Sequence, residues 1–293
     1  MGENIANENK KVLIFSTGAK GGVGKSTMAI LMVEALLEGG GTVACLEGDE
    51  HSPTLSKKYS SHEKVRVANV DLSSLIDASG MDVLGKAVAE IDAEYVIVNT
   101  PASGVRIFDE FPEVLASLDF EPRAAWSLGI NADRIKDGAE DDGLFTSMDG
   151  GMLSAIAAQN VTVVRPLFQR AYRDQNFWYD ARSDVANRLG INTMDIAKIP
   201  ASTLEAIHRG ESSISGLVAT LDPILSATLQ ILWYRVKTAM AETVLKGAGL
   251  ALNELPRSLP VREKVFGEDG LARQLSNPND AVKKAGTSEG RVD

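Results

Sequence analysis

Eight consecutive residues, Lys20-Gly21-Gly22-Val23-Gly24-Lys25-Ser26-Thr27, have the types and spacing needed to hold phosphate. A phosphate cradle needs backbone N–H groups pointing inward at close range. Glycine must therefore stand where a Cβ would block the approach or where the dihedrals are left-handed. Gly21, Gly22 and Gly24 meet that need. The loop runs into a segment of helical periodicity, and a helix start offers unpaired N–H groups and the positive end of a dipole. Lys25 is then placed to reach β- and γ-phosphates, and the Ser26 hydroxyl to ligate Mg²⁺. Many glycine loops have no ligand, but this one follows an apolar strand, ends in Gly-Lys-Ser and opens a helix, the context that phosphate binding requires.

The elements that must position this loop can be read from periodicity. Val12-Leu13-Ile14-Phe15 has the continuous apolar character of a strand buried on both faces. After the loop, Met28, Leu31, Met32, Ala35 and Leu36 recur at helical spacing, and Gly39-Gly40-Gly41 marks the stop. A second run, Val43 to Leu46, ends in Glu47-Gly48-Asp49. Further strand candidates are Val65 to Val70, Tyr95 to Val98, Ala124 to Leu128, Val161 to Val164 and Met194 to Ile199. Helical stretches lie between most of them. Strands alternating with helices predict an α/β fold, a doubly wound and mostly parallel sheet covered on both faces, with ligands at the carboxyl ends of the strands. One long helix is expected from Asp222 to about Leu252, its stripe of Leu225, Leu229, Leu232, Val236, Met240 and Val244 packing on the body. A membrane-lying helix would need a dense basic face, for which Arg235, Lys237 and Lys246 do not suffice.

Composition narrows the function classes. The 293 residues carry a formal net charge of −10, so any contact with nucleic acid must come from a local patch. Arginines 165, 170, 173, 182 and 188 mix with Phe168, Tyr172, Phe177, Trp178 and Tyr179, but Asp174, Asp180 and Asp184 dilute the patch, and a solvated helix face is the simpler reading. Cys45 is the only cysteine, which excludes a disulfide framework and a paired-cysteine metal or iron–sulfur centre. The polar first ten residues lack a signal pattern, and no apolar run of about 18 residues offers a membrane span. A cytoplasmic protein is expected, with a flexible leader over 1–10, one domain over 11–252 and a flexible tail over 253–293.

The span from Lys20 to Thr27 resembles the ParA/MinD family of P-loop ATPases, SIMIBI-like proteins whose deviant Walker A motif reads Lys-Gly-Gly-x-Gly-Lys-Ser/Thr-Thr. The family's second strand ends in Asp-x-Asp, where this chain has Glu47-Gly48-Asp49. Its Walker B strand ends in Asp-Thr-Pro, where this chain has Asn99-Thr100-Pro101. Ile199-Pro200 before a helix is similar to the family's adenine-side loop, which adds Pro200 to the nucleotide-binding candidates. The resemblance runs from about Lys11 to Leu252.

What the resemblance implies is an ATP- and Mg²⁺-dependent homodimer. Lys20 would reach the partner's site, Lys25 and Ser26 would hold phosphate and metal, and Asp49 would orient the attacking water. Metal-side residues would be Ser26, Asp49 and Asn99. The cargo would be DNA or a DNA-bound adaptor, in plasmid or chromosome partition or in plasmid transfer and stability of the TraL/StbB type. Two departures stand out. Asn99 offers a neutral amide where the family has a carboxylate, so an aspartate at 99 is expected to be the better partner of a hard cation. Arg165 stands where the family often has the asparagine that reads the base, so adenine is inferred by resemblance alone. The alternative reading, which Asn99 favours, is a catalytically weak or inactive nucleotide-dependent scaffold that positions a protein complex.

Overall fold

The computed structural model describes residues 11–18, 21–72, 79–101, 108–109, 112–128, 143–166, 183–197, 199–209 and 213–252. Seven strands form one all-parallel sheet: β1 (Val12–Thr17), β2 (Val43–Glu47), β3 (Val65–Asn69), β4 (Tyr95–Asn99), β5 (Glu121–Ser127), β6 (Val161–Pro166) and β7 (Asn192–Ile196). Their order is β3-β2-β4-β1-β5-β6-β7. The chain leaves β1 in one direction to build β2 and β3, inserts β4 beside β1, then builds β5 to β7 on the other side. The loop after β1 therefore stands where the winding reverses, the place at which such sheets bind ligands.

Helices cover both faces. In chain order they are α1 (Lys25–Glu38), α2 (Thr54–Tyr59), α3 (Ser79–Glu90), α4 (Pro112–Ser117), α5 (Leu144–Met148), α6 (Ser183–Leu189), α7 (Ala201–Arg209), α8 (Ile214–Thr220) and α9 (Pro223–Glu242). Strand alternation splits the core in two. Val12 and Ile14 of β1 face α1, α2, α7, α8 and α9 together with Cys45 and Ile97. Leu13 and Phe15 face the other layer, where Leu84, Leu115, Trp126 and Leu144 pack. Cys45 is fully buried among apolar neighbours, as its surroundings in the sequence suggest.

The strand expectations hold with shifts of a few residues: β5 starts at Glu121, ahead of Ala124, and β7 spans Asn192–Ile196 rather than Met194–Ile199. Helix α9 is shorter than expected. It starts at Pro223 under an Asp222 cap that accepts from the Ile224 and Leu225 N–H groups, and it stops at Glu242. Beyond it the chain turns back, with Leu245 N–H on Met240 O and left-handed backbone at Gly247 and Gly249. Val244 continues the apolar stripe and is buried, but from a turn rather than a helix. Leu229, Trp233, Val236 and Met240 are buried against the body. Among the described residues no helix is long and apolar enough to cross a membrane. The leader, the tail and all but Arg165 and Arg188 of the arginine-aromatic cluster lie outside the described residues.

Candidate functional site

The end of β1 is tied down before the loop begins. The Ser16 hydroxyl donates to the carbonyl of Lys25 at 2.7 Å, so the strand end is clamped to the first residue of α1. Thr100, just past β4, donates its N–H and its hydroxyl to the Ser16 carbonyl at 3.1 and 3.2 Å. Between these anchors Gly22 (φ 70°) and Gly24 (φ 97°) adopt left-handed backbone that side-chain-bearing residues rarely reach. Val23 is 7% exposed, so the loop turns this apolar side chain away from solvent. Gly21 shows no positive φ, so its place in the cradle rests on size rather than on dihedral freedom.

Helix α1 begins without an anion of its own. Its first turn has no acidic residue and its start has no side-chain cap. The Met28 N–H donates to Gly24 O at 2.9 Å. A helix start directs its first N–H groups toward an incoming anion. Lys25 is buried at 6% exposure, and this burial pulls its ammonium down to about 8, while the nearby Asp49 carboxylate works in the opposite direction. A polyphosphate at this helix end would add negative charge beside the buried ammonium and favour its charged form.

The metal-side candidates meet at the carboxyl ends of β2 and β4. Ser26 Oγ accepts from Asn99 Nδ2 at 3.3 Å, and the same nitrogen donates to Glu47 Oε1 at 2.8 Å. Asp49 lies on the loop after β2, where its N–H donates to Glu47 Oε1 at 3.1 Å and its Oδ1 accepts from Ser52 N–H at 3.1 Å. Among the described residues no group of three His, Cys, Asp or Glu side chains forms a metal cage. That donor set does fit Mg²⁺, which keeps several waters and is held through a hydroxyl, a carboxylate and the phosphates of its substrate. The buried Asn99 Oδ1, which has no hydrogen-bond partner, is an acceptor that a metal-bound water could satisfy.

The remaining expected residues divide. Lys20 lies outside the described residues. Thr27 is buried, and its Oγ lies 2.8 Å from Nε2 of His208 on α7. Pro200 stands immediately before α7, at the end opposite His208. Arg165 is committed to Asp195 across β6 and β7, donating Nε and Nη2 to the two carboxylate oxygens at 2.9 and 2.6 Å. Sequence reasoning missed two site residues. His208 gave no signal beyond a helical pattern in which Ile207 is the core residue. Glu47 was visible only as the first residue of Glu47-Gly48-Asp49.

No family model matches the chain, and no curated protein matches it. Among solved structures it is similar to a nucleotide-binding protein of Archaeoglobus fulgidus in complex with ADP, at 14% identity and a TM-score of 0.40, over 70% of this chain and 89% of that one. It is also similar to the MinC:MinD cell division protein complex of Aquifex aeolicus, at 17% identity and a TM-score of 0.45, over 78% and 96% of the respective chains.

Proposed function

We propose that this chain binds ATP with Mg²⁺ at the loop between β1 and α1 and works as a slow ATPase whose bound nucleotide sets dimerisation. The observation that carries the reading is the uncapped start of α1 behind left-handed Gly22 and Gly24, with Lys25 buried beside it. Phosphoryl transfer asks a protein mainly for positioning and charge neutralisation. Backbone N–H groups and Lys25 would hold the phosphates. Ser26 would hold Mg²⁺, whose bound form neutralises charge on the β- and γ-phosphates. Asp49 would orient water from the β2 loop. By its resemblance to the ParA/MinD family the protein would act in plasmid or chromosome partition, or in plasmid transfer and stability, with DNA or a DNA-bound adaptor as partner.

The second reading is a nucleotide-dependent scaffold with little or no turnover, favoured by the neutral Asn99 at the end of β4. ATP turnover measured with and without DNA, and again with Asp49→Ala, separates them. Turnover stimulated by DNA and lost in the variant supports the partition switch. Nucleotide binding with no turnover under any condition supports the scaffold.

A further inference from the structure

The parallel register of β2 and β4 sets Glu47 opposite Asn99. Gly48 lets these two strand ends close: its N–H donates to Asn99 O at 2.9 Å, and a Cβ there would come within 2.6 Å of Leu72 Cδ1. Glu47 is 1% exposed. Three N–H donors meet its carboxyl: Leu55 on Oε2 at 2.8 Å, with Asp49 and the Asn99 amide on Oε1. N–H donors on both oxygens suit a carboxylate, which only accepts.

The same contact orients Asn99. A carboxylate only accepts, so the amide must present nitrogen to Glu47 and cannot turn its oxygen there. That nitrogen also meets Ser26 Oγ, which leaves Oδ1 buried without a partner. Asn99 thus links the Glu47 charge to the Ser26 hydroxyl through one amide.

We propose that Glu47 is the carboxylate that serves the nucleotide-bound cation, the charge standing on β2 instead of the facing position on β4, and that Asn99 is the residue that positions it. The inference rests on the nucleotide-site reading above. It also reverses the expectation for an aspartate at 99: two carboxylates would then face each other across about 3 Å, where like charges cannot both ionise. Asn99→Asp alone would weaken the site rather than repair it.

The test is ATP binding by calorimetry in EDTA and in Mg²⁺, for the parent, Glu47→Gln, Asn99→Asp and the transposed Glu47→Gln/Asn99→Asp protein. Glu47→Gln is expected to lose about tenfold or more of the Mg²⁺ enhancement while binding in EDTA changes less than about twofold. Asn99→Asp should show no gain in Mg²⁺ enhancement at pH 7, and the transposed protein should recover most of the loss. If Glu47→Gln does not fold, Glu47→Asp replaces it, keeping the charge one methylene further back and a reduced but measurable enhancement. Full Mg²⁺ enhancement in Glu47→Gln, a stronger response in Asn99→Asp alone, or an unreduced one in Glu47→Asp would overturn the inference and leave the nucleotide site standing. A parent protein that binds no ATP in either buffer would overturn the site and the inference together.

Discussion

The chemistry at Lys25 is governed by what surrounds a single ammonium. Its folded-state titration near 8 lies well below the usual lysine value of 10.5 because it is buried at a helix start, and a polyphosphate would restore the charged form. ATP binding must then take up a proton once the pH exceeds about 8, so affinity should fall as pH rises through that value, by up to about tenfold per pH unit. Calorimetry from pH 7 to 9.5 checks this, and Lys25→Ala should abolish binding; a flat profile would mean that Lys25 meets no phosphate. His208 titrates in the opposite sense to a paired histidine. Burial lowers it below 6.5, with the Lys58 charge adding to the effect. The folded state thus binds fewer protons than the unfolded chain, so the stability His208 contributes is present above about 6.5 and is lost as pH falls below it. Melting temperatures of the parent and His208→Gln from pH 5 to 8 should diverge on that acid side, the parent falling more steeply.

At the scale of elements, α1 is held by a buried carboxylate as well as by apolar packing. Glu34 Oε1 accepts from the Tyr59 hydroxyl of α2 at 2.8 Å and pairs with Lys58 at 3.6 Å, while Oε2 accepts from the Ile214 N–H of α8 at 3.1 Å. Both charged side chains are nearly inaccessible, at 2% and 3% exposure. Removing one partner of such a pair strands the other, at a cost of about 3–5 kcal/mol. Glu34→Ala should destabilise by that order in denaturant unfolding, and Glu34→Ala/Lys58→Met should recover a large part of it. A loss below about 1 kcal/mol would show that water reaches the pair. The sequence placed α1 well and said nothing of this stitch, because Glu34 sits among apolar positions and its partners come from segments 25 and 180 positions away. For α9 the periodicity ran past the true end. A stripe reports which side chains are apolar, and Val244 is buried whether it stands in a helix or in the turn that follows.

At the scale of the molecule, dimerisation on ATP would depend on Lys20, in sequence the first residue of the motif and a second lysine beside the one that would hold phosphate. If it acts across an interface, ATP should convert monomer to dimer, since only the γ-phosphate of the partner site offers the anion that stabilises a buried lysine. ADP should not do so. Lys20→Ala should still bind nucleotide through Lys25 and the backbone cradle, yet fail to dimerise or hydrolyse. Light scattering with ADP, ATP and a slowly hydrolysed analogue decides it: an unchanged mass in all three, or a Lys20→Ala protein that dimerises as well as the parent, would reduce Lys20 to a surface charge.

Taken alone, the sequence determined what is local. The phosphate loop, the strands around it and the α/β class follow from glycine placement, continuous apolar runs and the 3.6-residue period, which act between neighbours in the chain. The tertiary structure decided what depends on bringing distant segments together. Parallel register alone sets Glu47 against Asn99, 52 positions apart, and so brings a carboxylate to the amide that also meets Ser26. Packing of α7 on α1 alone sets His208 against Thr27, 181 positions apart. Neither pairing has a period or a spacing to reveal it, because each is fixed by how the sheet is wound and its helices are layered.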